Sequence, residues 1–378
     1  MGIEIEFIVV VLIILLLVIL LAPLFSRRVE ENLEIFFFVM GVLSATVTRS
    51  WSLALVEEAL LSPLMIKGVP IGIFQVVLIA SILFAYFSRE IDLFVERVQR
   101  KISLSLLLSL LILVLGIGSS LISVIVASVI ISEIALHIRL PRDVLRRSLI
   151  VAAYAVGLGA ALTPVGEPLS TIAIHKLSGE PYHADFFFLL RVLGEYIIAL
   201  IILYSIYIYL YTRRAIRNMR VSSVRESVSI PATDLTESSA ISTRSVKEII
   251  RISITRALKI YIFIFALVLI GASYEILVDL YLKYLPSWGM YLFGTISAVV
   301  DNATLTAAII SPELNLLQIK SFLISLLISG GFLIPGNVPN IVIANIHKIR
   351  FGEWAREAIP LGLPAYLGMF ILFFVIGL

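Results

Sequence analysis

The chain has 378 residues, 60% of them hydrophobic and 15% charged, with a mean hydropathy of +1.08. A soluble domain carries a charged share of about 25%, so lipid is the solvent for most of this chain, and lipid admits only helices or a closed barrel. The absence of cysteine excludes disulfides, thiolate metal sites and cysteine catalysis, and a net charge of +3 gives no reason to expect a nucleic-acid partner.

The apolar runs are continuous over roughly 17–27 residues, without the alternation of a barrel strand. They predict an all-α polytopic membrane protein of about nine transmembrane helices plus two re-entrant hairpins. In chain order the spans are 7–25, 33–48, 69–87, 102–115, 148–177, 184–211, 257–282, 318–349 and 358–378. The first run lacks a preceding basic region and is too long for a signal peptide, so it is read as a span. Residues 51–66, with Glu57, Glu58 and Pro63, read as an interfacial helix. Stretches 118–137 and 288–311 are interrupted by small and polar residues and read as hairpins, tolerated at membrane depth where protein or water covers them.

Residues 1–101 read as N-terminal scaffold helices, 102–211 as a first repeat, 212–256 as a linker and 257–378 as a second repeat. Between Arg213 and Lys259 the sequence has ten Lys/Arg against four Asp/Glu, which places the linker in the cytoplasm. It is either a solvated tether or a regulatory, lipid-contacting segment. With the linker inside a cell (plasma) membrane, Arg139, Arg142, Arg146 and Arg147 fall inside, as do His347, Lys348 and Arg350. The turn with Glu180 and Asp185 falls outside. Nine spans then put the N-terminus in the cytoplasm and the C-terminus outside, and leave Arg27 and Arg28 outside, offset by Glu30, Glu31 and Glu34.

Two segments repeat. Residues 162–177 read LTPVGEPLSTIAIHKL and residues 333–349 read LIPGNVPNIVIANIHKI. Both carry prolines four apart, an intervening glycine, and an apolar run ending in His-Lys. Upstream, ISVIVAS (122–128) matches ISAVVDN (296–302). In the expected topology the copies are inverted. Inverted repeats with Gly/Pro-interrupted segments at corresponding positions point to the binding site of a secondary transporter.

In Pro164-Val165-Gly166-Glu167-Pro168 the two prolines remove helix hydrogen bonds and Gly166 permits a left-handed turn. The helix is expected to unwind and restart at Pro168, with half-helix dipoles meeting at the gap; a simple proline kink is the alternative. Pro335-Gly336-Asn337-Val338-Pro339 repeats the pattern with Asn337 in place of the carboxylate. Asp301, followed by Asn302 and Thr304, interrupts an apolar stretch, at a cost of at least ~2.5 kcal/mol. It serves either as a helix cap or as a functional carboxylate. A carboxylate in low dielectric resists ionisation, so protons and cations compete for it. Carboxylate, amide and hydroxyl oxygens with freed carbonyls suit a hard cation such as Na⁺; Asn302, Thr304, Thr163 and Ser128 are candidates to complete a shell around Asp301 and Glu167. Glu195, inside a span, is a weaker candidate. The four histidines are expected at span ends.

GLGAALTPVGEPLS (157–170) resembles the G-G-x-L-T-P-I-G-N-P-x-N signature of the ion transporter superfamily, the group of NhaD-type sodium/proton antiporters, arsenite permeases, and citrate and dicarboxylate carriers. SAVVDNATLTAA (297–308) resembles its hairpin motif. The resemblance implies a scaffold, two hairpins, two broken helices, an elevator-like movement and a homodimer, in a small prokaryotic branch of the group. Glu167 and Ser170 replace asparagines of that signature, and neither hairpin tip reads Ser-Asn-Thr as in dicarboxylate carriers. The expectation is therefore cation (Na⁺)/H⁺ antiport, with proton- or sodium-coupled anion or carboxylate transport as the alternative. No cofactor and no resident metal are expected. With no HExxH or GxGD motif and no second intramembrane aspartate beside Asp301, enzymatic activity is not expected; an uncoupled channel is a further alternative.

Overall fold

The computed structural model describes residues 2–26, 28–29, 32–65, 72–87, 90, 93, 97, 101–138, 140–225, 246–281, 285–299 and 302–377. All regular structure among them is helical. The N-terminal set is α1 (Gly2–Phe25), α2 (Leu33–Val47), α3 (Leu53–Leu61) and α4 (Ile73–Tyr86). Then come α5 (Leu104–Ile122), α6 (Val124–Leu136), α7 (Arg142–Ala160), α8 (Pro168–Lys176) and α9 (Phe188–Arg225). The last set is α10 (Val246–Tyr281), α11 (Ser287–Phe293, continued by a 3-10 turn over Gly294–Ala298), α12 (Asn302–Ile309), α13 (Leu316–Ser329), α14 (Val338–His347) and α15 (Phe351–Ile371). Five stretches are long and apolar enough to cross a membrane: Glu6–Pro23, Leu104–Ile122, Phe188–Asn218, Ile250–Tyr274 and Phe351–Ile376. Leu33–Val47, Val124–Leu136 and Leu316–Ser329 are shorter apolar helices.

Helix α9 is 38 residues long, roughly 57 Å at 1.5 Å per residue. It runs well past the expected start of the linker at 212, because Arg, Met and Ala favour a helix in water as well as in lipid. Helix α10 likewise begins ten residues before 256. The middle of the expected linker, 226–245, lies outside the described residues. The end of the molecule where α9 finishes and α10 begins is called the linker end below.

Helix α2 runs parallel to α10: Glu34 pairs with Lys259 at 2.7 Å, Phe37 stacks on Phe263, and a Cβ at Gly41 would stand 2.9 Å from the Ala266 carbonyl. Helix α3 returns along the same helix, with Leu55 and Ala59 on Leu269 and Tyr261 donating to the Leu60 carbonyl at 3.0 Å. The segment expected as an interfacial helix is thus packed antiparallel on α10, its apolar side matched by that helix. Helix α4 starts again at the linker end, where Phe74 meets Tyr261 edge-on.

The Glu34–Lys259 pair also brings the turn between α1 and α2 to the linker end. Midway along α1, Leu12 accepts a hydrogen bond from Tyr274 at 2.8 Å, fifteen residues further along α10 than Lys259. The N-terminus and the linker thus lie at opposite ends.

The segments expected as a span over 102–115 and a hairpin over 118–137 form one longer helical hairpin. Helix α5 continues through Gly116 and Gly118, and the chain reverses at Ser123, whose φ is +79°. Gly116 does not interrupt α5 but admits α7 and α9: a Cβ there would meet Ala155 at 3.2 Å and Ile201 at 3.0 Å, the usual use of a small residue between membrane helices. Leu108 and Ile112 of α5 face Ile131 and Ala135 of α6, so the two arms are antiparallel. Helices α11 and α12 fall on the stretch 288–311 expected as the second hairpin, and residues 300–301 between them lie outside the described residues.

Helices α7 and α13 pass α9 in opposite senses. Arg147, near the start of α7, lies over Tyr211 toward the linker end of α9, and Tyr154 stacks on Tyr204. Lys320, near the start of α13, lies over Tyr196 toward the other end. Serines every fourth residue bind α13 to α11: Ser321 donates to Ser287 O, Ser325 to Tyr291 O and Ser329 to Gly294 O. Such small polar residues bring membrane helices close and bond across the seam.

Candidate functional site

The spans expected over 148–177 and 318–349 are each broken, into α7 and α8 across residues 161–167 and into α13 and α14 across residues 330–337. Glycine allows each loop to turn back on the helix before it. A Cβ at Gly166 would stand 2.0 Å from Ala160 O, and one at Gly336 would stand 2.4 Å from Gly330 O. Each second half-helix begins with proline, Pro168 at its first position and Pro339 at its second, where the missing N–H costs nothing. Pro164 and Pro335 stand inside the loops, Pro335 with Gly336 in a 3-10 turn.

The loops correspond at a spacing of 170 for Gly166 and Gly336, Glu167 and Asn337, and Ser170 and Asn340, with the prolines displaced by one. Ser170 donates to Ala161 O at 2.9 Å; Asn340 donates to Gly330 O and Leu333 O, both at 2.7 Å. Glu167 and Asn337 stand just before the two half-helices with the same extended backbone, φ/ψ −150°/161° and −152°/148°. The hairpins correspond at 178. Ser119 donates to Val156 O and Ser297 to Leu326 O. Gly159 lies against Gly116 O where Ser329 donates to Gly294 O. On this spacing the residues preceding the second arms are Ser123 and Asp301, so Asp301 matches Ser123 rather than Ala127. The sequence match was displaced by four because the two tips share an Ile-Ser pair at different heights.

Each second arm packs on the other repeat's half-helix, α6 on α14 and α12 on α8. The first hairpin tip bonds to its own loop through Val124 N–H and Gly166 O at 2.8 Å. The 3-10 turn that continues α11 lies on the second loop, since a Cβ at Gly336 would meet Ser297 O at 2.6 Å. The second loop also leans on the first repeat: Asn337 Nδ2 presses on Gly157 of α7, and Gly331 on the Tyr154 ring.

Within this frame Glu167, Asn302 and Asn337 are all buried. Neither Glu167 nor Asn337 caps its own helix with its side chain. Asn302 opens α12, its Oδ1 close to Gly330, and neither polar atom of its amide has a partner in the protein. A buried amide in that state costs about 1–3 kcal/mol. Asp301 lies outside the described residues, as does the side chain of Thr304. Two expected ligands spend their hydroxyl hydrogens on the fold: Ser128 donates to Val124 O of its own helix, and Thr163 donates to Ser120 O while accepting from Val165 N–H. Glu195 is exposed on α9 and is not brought to the loops.

Sequence reasoning singled out neither Ser123 nor Asn340. Asn340 closes the second loop and keeps an unpartnered buried Oδ1. Its signal was available: an amide or hydroxyl at the third position of each half-helix, two after Pro168 and one after Pro339. Together the loops offer carboxylate and amide oxygens suited to a hard cation, beside half-helix N-termini that favour an anion.

Over residues 8–376 the chain matches the family described as Protein of unknown function (DUF1646). The chain belongs to that family. No curated protein matches it. The match takes in both break loops, both hairpins and the linker between them.

Proposed function

We propose that this member of the DUF1646 family is a secondary active transporter of the ion transporter superfamily type, exchanging a cation, Na⁺, for H⁺ at a site between the hairpin tips and the broken helices. The observation that carries the reading is the pair of corresponding loops, each with a buried carboxylate or amide before an uncapped half-helix, beside Asn302 and its unpartnered buried amide. Unwound backbone at membrane depth is tolerated where it lines a binding cavity. Asp301 and Glu167 supply the charge, and Asn302 and Asn337 supply neutral oxygens. The arms over 104–136 and 287–309 then enter the plasma membrane from opposite faces and return.

With the linker in the cytoplasm, Arg28, Lys101, Arg142, Arg146, Arg147, Lys348 and Arg350 all fall inside, as positive-inside bias requires. Both termini fall outside, and the acidic start of the chain, with Glu4 and Glu6, agrees. Anion or carboxylate transport on the same scaffold is favoured by the two uncapped N-termini and opposed by the Glu167 carboxylate at one of them.

Purified protein in liposomes loaded with a pH dye is expected to acidify or alkalinise the lumen when a Na⁺ gradient is imposed. Full activity in both Asp301→Asn and Glu167→Gln sinks the cation reading, and counterflow of a carboxylate in place of Na⁺ replaces it.

A further inference from the structure

Away from the break loops, the last turn of α6 carries a second set of titratable groups. The helix is otherwise apolar, VIVASVIISEIAL, yet Glu133 is only 4% exposed and His137 only 8%. Four residues apart, they lie on one face of the helix. A carboxylate in an apolar helix carries an insertion cost that capping or solubility does not explain, and Glu133 is too far from the tip at Ser123 to serve the site there. Across the seam, His347 at the end of α14 places Nε2 3.0 Å from Ser132 O. A carbonyl oxygen can only accept, so Nε2 carries hydrogen there and Nδ1 is the nitrogen that gains or loses the transferable proton. The hydroxyl of Ser132 is fully buried and without a partner in the protein, as expected of a group that bonds ordered water.

The elements packed on α6 are α14, α5, α7 and α4. Helix α5 has no ionisable side chain and α4 only Tyr86. Helix α14 brings His347, with exposed Lys348 just beyond it. Helix α7 brings exposed Arg142, Asp143, Arg146 and Arg147, the last two arginines engaged by Asp143, Glu353 and Glu357. Arg139 lies outside the described residues.

We infer that Glu133, His137 and His347, with water on Ser132, form a proton-binding site at the linker end of the α6–α14 seam, separate from the break loops. This rests on the transport reading for its purpose: the cation is held by the loops, and the exchanged proton enters or leaves through this site. Imidazole and carboxylate suit that task, since histidine changes charge near neutral pH.

The test is the pH profile of Na⁺-driven flux in liposomes for the wild type, Glu133→Gln, Glu133→Asp and His347→Gln, with the pH dependence of Tm of the purified proteins alongside. Glu133→Gln and His347→Gln are expected to move the half-maximal pH of flux by one unit or more, whereas Glu133→Asp keeps the wild-type profile. The Tm curve is expected to lose one titration step in both neutral variants. Wild-type profiles and Tm curves in both neutral variants overturn the proton site. Absence of any flux in the wild type, with the Tm step still lost in Glu133→Gln, overturns the transport reading and supports the proton site.

Discussion

At the scale of single residues, the break loops depend on atoms that leave no room. Gly166→Ala and Gly336→Ala would each drive a Cβ into a backbone carbonyl, which cannot move aside as a side chain can. Each is expected to cost about 1–3 kcal/mol or to prevent folding, read as a drop in Tm in detergent. Gly118→Ala is the control: it lies within α5 with nothing inside 4 Å of its Cβ position, and is expected to gain about 0.5–1 kcal/mol from helix propensity. Asn340 and Ser170 hold corresponding positions with unequal duties. Asn340→Ala bares two buried carbonyls and Ser170→Ala only one, at about 1–3 kcal/mol for each. Asn340→Ala is therefore the more damaging, and the reverse order would mean that the bonds to Gly330 and Leu333 carry little of the loop's stability.

At the scale of elements, the two ends of the α7–α15 and α8–α9 connections are held by ion pairs. Arg147 meets Glu357 of α15 with Nε to Oε2 at 2.6 Å and stacks on Tyr211 of α9, so one side chain joins three helices. A double-mutant cycle with Arg147→Gln and Glu357→Gln is expected to give a coupling of about 0.5–3 kcal/mol; additivity would show that packing alone aligns these helices. In the turn before α9, Arg191 grips Asp185 with two hydrogen bonds, 2.7 and 3.0 Å. The Arg191 guanidinium, aided by Phe187 N–H, holds the Asp185 carboxyl below its ordinary value of 3.8. A depressed folded value means that the contribution is fully present above the unfolded value and is lost as pH falls through the lower, folded one. Asp185→Asn is expected to flatten the acid limb of the Tm curve below about pH 4, and an unchanged acid limb would count against the pairing.

At the scale of the whole molecule, the cysteine-free sequence makes sidedness directly measurable. Single cysteines in place of Asn32 and Arg350, both exposed, are expected to react with an impermeant thiol reagent from the linker side of a sealed membrane. One in place of Gly179, which faces open space, is expected to react only from the opposite side. Labelling of Asn32→Cys together with Gly179→Cys would refute the arrangement read from the Glu34–Lys259 pair.

By itself the sequence determined the helical class, apolar helices long enough to cross a membrane, and the two broken segments. Hydropathy leaves no alternative to helices in lipid, and Pro-x-x-x-Pro with glycine breaks a helix wherever it is folded. It also singled out Glu167, Asn302 and Asn337, because polar residues inside apolar runs stand out. Tertiary structure decided what local pattern cannot encode. The expected span ends at 115, but α5 continues through Gly116, which serves as a close contact with α7. Helix α3 reads as an interfacial helix, and only the structure shows α10 as the face its apolar side covers. Ser128 and Thr163 read as ligands from their polarity alone, and only the structure shows that their hydroxyls also donate to the backbone. Glu133 passes unnoticed until α14 brings His347 to the same turn, where its Nε2 meets Ser132 O, because only packing shows which side chains gather at a seam.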